Sequence, residues 1–254
     1  MLKNISIGIK AYFGAFSLIS KLKLWKFFVI PMLISFVTAT FFIWIAFTYS
    51  DNIVDYITSL IPGWNTTINI GWVSKIFYFL FAIVILGVGI ILYKHIIMAL
   101  SAPFMSPVSE KIEVHLTGNT AHSHRNTSFI EQLWRGIRIN GRNLIMELLL
   151  TIPILLLKFI PIVNIFSTIL LFLVQAYYAG FGNMDYTLER HFKYKESVKF
   201  VQKNRGLAIG NGIVFILFLL IPIVGVILVL PLSVTAATLK TVEALELKSD
   251  IKNV

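Results

Sequence analysis

Hydrophobic positions in this chain gather into four long stretches, Phe27–Tyr49, Ile76–Tyr93, Leu144–Gly182 and Leu207–Leu239. The first has 23 residues and no charge, enough to cross about 30 Å of hydrocarbon as a helix. The second has 18 apolar residues between Lys75 and Lys94, and its helix is expected to run on to a break at Ala102-Pro103. The third and fourth read differently. Each holds an Ile-Pro-Ile-Val phrase near its middle, Ile160-Pro161-Ile162-Val163-Asn164 and Ile221-Pro222-Ile223-Val224-Gly225. Proline breaks the helical ladder, and Asn or Gly tolerates the turn that follows. With apolar arms on both sides, the pattern predicts helical hairpins with tips at Pro161, Asn164, Pro222 and Gly225, in or near lipid.

The remaining segments set the topology. In residues 1–26, Ile5, Ile9, Tyr12, Phe13, Phe16 and Ile19 recur at helical spacing among five lysines and no acid, which predicts an amphipathic helix lying at the membrane surface. Residues 94–143 and 183–206 each carry six Lys/Arg against three acids, whereas 50–75 holds Lys75 alone. Cytoplasmic loops carry the Lys/Arg excess, so the two basic segments belong on one side, with the N-terminus. A hairpin over 144–182 returns the chain to that side; a single crossing would not. The arms of 207–239 are about 21 and 25 Å long at 1.5 Å per residue, short of a full crossing. The expected fold is an all-α integral membrane protein: two full spans (27–49 and 76–93), two partly inserted helical hairpins (144–182 and 207–239) and an N-terminal interfacial helix (1–26).

Composition agrees. The chain is 57% hydrophobic and 13% charged, with mean hydropathy +0.83, about half the charge of a soluble domain. The net charge of +10 suits cytoplasmic loops facing anionic lipid; no basic and aromatic nucleic-acid module accompanies it. The first apolar run begins too late and is too long for a cleaved signal peptide. There is no Cys, so disulfides and thiolate metal sites are excluded. No phosphate-binding Gly-rich loop, nucleophile elbow or His-Glu-x-x-His is present. The chain therefore reads as a non-enzyme with no cofactor and no metal. His122-x-His124 is too weak a pattern to predict a metal.

Several segments together resemble the CysZ-like family, which also includes the eukaryotic etoposide-induced membrane proteins. They are Ser101-Ala102-Pro103-Phe104 with Glu110 and Leu116-Thr117-Gly118, then Asp185-Tyr186 with Glu189 and His191, and the two Ile-Pro tips with Gly212 ten residues before Pro222. The resemblance covers most of residues 10–240 and makes 1–254 a single domain. It implies a homo-oligomeric, multi-pass protein of the bacterial inner membrane, surrounded by lipid, that admits sulfate or a similar oxyanion for cysteine synthesis without ATP. The family's sulfate site looks like a Gly-hydrophobic-Arg-Arg run before the first span. The matching positions here are Lys23, Leu24, Trp25 and Lys26; lysine replaces the glycine and Trp one arginine. Lysine keeps charge but loses the two-pronged grip of guanidinium on an oxyanion. That departure leaves a second class open, a membrane scaffold of the same fold that does not transport.

Other residues are weighed as sites. Arg205 and Gly206 precede the second hairpin, where free helical N–H groups attract anions. Lys158 reads as the one charge deep within an apolar hairpin, hence a pathway candidate, although a long stem can snorkel. Asn164, Gln175 and Asn211 suit hydrogen bonds between helices. Asp185, Glu189 and His191 suit a capping and ion-pair cluster with Arg190 or Lys193.

Overall fold

The computed structural model describes residues 1–59, 88–118, 127–158, 160, 163–221, 225 and 227–252. Most of the expected second span, together with His122, His124, Pro161 and Pro222, lies outside the described residues. The fold is helical throughout the described chain, and no strand occurs there. In order come α1 (Leu2–Lys21), a 3-10 turn (Leu24–Phe27), α2 (Val29–Ser59) and α3 (Val88–Leu100), then α4 (Ala102–Thr117), α5 (Phe129–Leu157) and α6 (Asn164–His191). The chain ends with α7 (Tyr194–Lys203), α8 (Arg205–Leu219) and α9 (Val229–Lys252). Two packing units result, Met1–Phe36 with His95–Val254, and Val37–Lys94.

Among the described residues, three helical segments are long and apolar enough to cross a membrane: Leu24–Ile45, α5 and α6. α3 and α4 qualify together but bend by 66° at the break, where the sequence places Ala102-Pro103. α8 has only 15 residues, about 22 Å of helix, and is too short for that class. An all-α membrane protein is therefore the fold, as the apolar pattern predicts.

In the larger unit α6 and α8 form the closest helix pair. Ala176 and Gly180 on α6 meet Ala208 and Gly212 on α8; a Cβ at Gly180 would run into the Ala208 carbonyl, and one at Gly212 into the Ala176 carbonyl. Small residues four apart let helix backbones touch where lipid offers no hydrophobic drive to associate. α1 docks on α8 and α9 through Gly8, Ala11, Tyr12, Ala15 and Ile19. The single apolar face expected for α1 is thus divided. Tyr12 and Ile19 enter the protein, and Phe13 and Phe16 stay exposed.

Polar groups join these helices. Tyr12 Oη donates to the Asn211 carbonyl at 2.8 Å and accepts from Ser233 Oγ at 2.7 Å. Asn211 accepts from Asn183 Nδ2 at 2.8 Å and donates to the Ser233 carbonyl at 2.9 Å. One asparagine side chain thereby links α6, α8 and α9, the role expected of it from sequence.

Candidate anion-binding site and buried polar track

The foot of the first span is a shaped turn. α1 ends at Lys21, and Lys23 then adopts φ 52° and ψ 43°, the left-handed region, which costs a residue with a Cβ and not glycine. That geometry lets the chain reverse into the 3-10 turn. Leu24 is fully buried and Phe28 nearly so, so these two pin the turn to the protein. Trp25 is exposed, with its ring edge-on to Phe16 at 5.8 Å and to Phe28 at 5.5 Å. Lys21, Lys23 and Lys26 are exposed. Of the four expected contact positions, Leu24 therefore turns inward, and Lys23, Trp25 and Lys26 face out.

A residue outside that sequence run joins the group. Lys111 of α4 sits over the Phe27 ring at 4.8 Å, and Lys26 lies at 5.4 Å from the same ring. Each ammonium gains from the ring's negative face. One aromatic ring thus gathers cations from two separate segments of the chain, which raises the local attraction for an anion.

The other predicted residues lie apart from this foot. Arg205 is exposed at the start of α8, but Gly206 is buried; a Cβ there would press on Asn4 and the Met1 carbonyl. The N-terminus of α1 therefore covers that side of the helix start. Lys158 is half-buried and caps α5, its N–H donating to the Leu155 carbonyl at 3.1 Å. A cation at a helix C-terminus offsets the negative end of the dipole. Asn164 is exposed at the first turn of α6, and its carbonyl accepts from Ser167 Oγ and Thr168 Oγ1 at 2.8 and 3.0 Å. Gly225 packs against Leu219 in the second tip.

Lys158 is not the one charge in the first hairpin. Glu147 lies ten residues inside α5 from its C-terminal end and is fully buried. Its Oε2 stands 2.9 Å from His95 Nε2 on α3. Asn140, Asn143, Glu147 and Thr151 recur at spacings of three and four on the buried face of α5, so they form a polar line along an apolar helix. Asn140 Oδ1, Asn143 Nδ2 and Thr151 Oγ1 are buried without a hydrogen-bond partner, an arrangement that is costly in a hydrocarbon setting. The sequence signal was Glu147 itself, a carboxylate at the fourth position of the third apolar stretch.

The cluster around α6's C-terminal end is structural, but its partners are not those expected from sequence. Arg135 of α5 forks onto Asp185, with Nε–Oδ2 and Nη2–Oδ1 both 2.9 Å, and also donates to the Phe192 carbonyl and Ser197 Oγ. Arg190 donates to Glu113 of α4 at 2.7 Å, to Ser109 Oγ at 2.8 Å and to the Tyr186 carbonyl at 3.0 Å. His191 Nε2 lies 2.5 Å from the other Glu113 oxygen, and Ser106 Oγ donates to Glu189. Burial alone would raise the Glu113 pKa. The His191 hydrogen bond and the Arg190 charge outweigh it and bring the carboxyl down to about 2. These bonds tie α4, α5 and α6 together at one end, with Asp185, Glu113 and Arg190 buried and each in an ion pair.

Comparison with known proteins places this arrangement. The model of the family described as sulfate transporter CysZ/etoposide-induced protein 2.4 matches residues 11–230. A sulfate transporter CysZ of Pectobacterium atrosepticum is 27% identical over 233 residues, covering 91% of this chain and 82% of that protein. One from Pseudomonas paraeruginosa is 28% identical over 218 residues, 84% of this chain and 85% of its own. One from Vibrio cholerae is 24% identical over 240 residues, 92% and 94% of the two chains. The family match spans the foot of the first span, the polar line of α5 and the α6–α8 crossing, and the chain belongs to the sulfate transporter CysZ/etoposide-induced protein 2.4 family.

Proposed function

We propose that this protein is a sulfate-type oxyanion permease of a bacterial inner membrane, working as a homo-oligomer without ATP hydrolysis and feeding sulfur assimilation, with residues 1–254 acting as one functional domain. The observation that carries the reading is family membership together with relatives named sulfate transporters over most of their length. The geometry supports it at two places. Lys23, Trp25, Lys26 and Lys111 make a basic, aromatic lip where the anion is collected. The Asn140–Asn143–Glu147–Thr151 line, with its unpartnered amide and hydroxyl groups, supplies hydrogen bonds that replace water along the apolar helices. Lysine ammonium at the lip acts as a point charge and selects oxyanions less sharply than arginine.

The test is uptake of labelled sulfate by proteoliposomes. The wild type is expected to exceed empty liposomes, and the Lys26→Gln/Lys111→Gln variant to lower the rate with folding and oligomer size unchanged. Uptake no greater than in empty liposomes, with folded protein present, refutes the permease. Deletion that leaves growth on sulfate as sole sulfur source unchanged would favour the scaffold suggested by the replaced glycine and arginine.

A further inference from the structure

A second basic place lies away from the foot of the first span and plays no part in the transport reading. It is an open cleft of about 350 Å3 where the start of α5 faces the start of α7, walled by Glu131, Trp134, Arg135, Arg138, Lys193 and Tyr194. Arg135 is committed to Asp185, Phe192 and Ser197 and forms a fixed wall. Glu131 is engaged as the helix cap, its Oε2 accepting from the Ser128 N–H at 2.7 Å and from Ser128 Oγ at 3.1 Å. Arg138 is exposed, and its guanidinium stacks on the Tyr194 ring at 4.3 Å. Lys193 is exposed beside it. No carboxylate among the described residues forms an ion pair with either Arg138 or Lys193. Stacking fixes the guanidinium plane and leaves its edge donors free, the pre-organised form that grips two oxygens of a phosphate.

What borders the cleft points to the source of that phosphate. Trp134 is 66% exposed, and Ile130 and Ile137, four residues before and three after it, are 76% and 41% exposed. The exposed apolar line runs on through Ile145, Leu149, Ile152 and Leu156, one lipid-facing stripe along the whole helix. α5 has 29 residues, about 43 Å at 1.5 Å per residue, which matches a bilayer with its headgroups, ~40–45 Å. The indole of Trp134 and the Arg138 guanidinium fall at its headgroup end, where Trp is favoured and anionic lipid attracts cations.

We infer that the Arg138–Lys193–Tyr194 cleft binds the phosphate of an anionic phospholipid, with an acyl chain lying along the Ile137–Ile145–Leu149 part of the stripe. The experiment is native mass spectrometry of the detergent-purified full chain titrated with phosphatidylglycerol, phosphatidylcholine, inorganic phosphate or sulfate. Phosphatidylglycerol is expected to bind more tightly than phosphatidylcholine. Arg138→Gln/Lys193→Gln is expected to weaken phosphatidylglycerol about 30-fold, about 2 kcal/mol at 1.4 kcal/mol per tenfold, since each basic residue near an anionic surface contributes about 1 kcal/mol. Arg138→Lys keeps the charge without the fork and should fall between the two, which also guards against loss of fold. Sulfate uptake by the double variant should be unchanged in phosphatidylcholine vesicles. Equal binding of the two lipids, or equal phosphatidylglycerol binding by wild type and double variant, overturns the proposal. So does inorganic phosphate or sulfate binding with no lipid preference, which makes the cleft a soluble-anion site. Loss of the oligomer in the variant with lipid binding intact overturns it too, by making the cleft a contact between copies.

Discussion

Lys23→Gly isolates the backbone cost at the foot of the first span. Lys23 holds φ 52° without the freedom of glycine. A left-handed residue with a Cβ costs about 1–2 kcal/mol, and glycine recovers that cost. Glycine also adds entropy to the unfolded chain, about 0.4–1 kcal/mol, so the net gain over lysine is about 0–1.6 kcal/mol. Lys23→Ala is the informative partner, because alanine keeps the conformational cost and loses the same charge. Glycine is therefore expected to exceed alanine by about 1 kcal/mol, a shift of roughly 2–4 °C in a chain of this size. Thermal scans of detergent-purified protein, read by the monodisperse fraction on size exclusion, measure the difference. Both variants lack the ammonium, so equal losses of sulfate uptake in the two assign position 23's role to charge. An alanine variant as stable as the glycine variant refutes the argument that the turn is strained.

Gly212→Ala drives a Cβ into the Ala176 carbonyl and should destabilise by about 1–3 kcal/mol, whereas Gly141→Ala, with nothing within 4 Å, should not; equal melting temperatures for the two would contradict the close crossing. Glu147→Ala leaves His95 buried without its carboxylate and is expected to cost about 3–5 kcal/mol, with Glu147→Gln far milder because it retains a hydrogen-bonding group; chemical unfolding compares them. Glu113 has its folded pKa lowered from 4.5 to about 2, so its contribution is complete above about pH 4.5 and is lost as pH falls toward 2; melting points measured from pH 7 downward should drop in that window, and Glu113→Gln should flatten the drop. Single cysteines at Ser128 and Lys199, both exposed, should react with an impermeant thiol reagent from the same side of the membrane; labelling from opposite sides would make the first hairpin a single crossing.

The fold was legible where apolar length decides it. Membrane class, the breaks near Ala102-Pro103 and before α6, and the short α8 all follow from runs of hydrophobic residues interrupted by proline. Asn211 was legible for a related reason, since an uncharged polar group inside an apolar arm has only other helices to bond. Side-chain pairings over long separations were not legible. Nothing near Asp185 in the sequence names Arg135, fifty residues away, and local spacing favoured Arg190 or Lys193 instead. Lys111 joins Lys26 only because one Phe27 ring lies between two helices. Ser197, within the basic segment 183–206, is buried and accepts from Arg135, a contact that no local spacing signals.

The α6–α8 crossing also limits how the protein can move. Where glycine faces a backbone carbonyl, no side chain intervenes, so there are no rotamers to exchange and no slack to take up sliding. Packed interfaces of this kind shift between discrete arrangements and do not deform smoothly. The two helices therefore travel as one lever with its fulcrum at Ala176–Gly180 and Ala208–Gly212. Rotation about that fulcrum carries α1 and α9 with it, because both pack on α8.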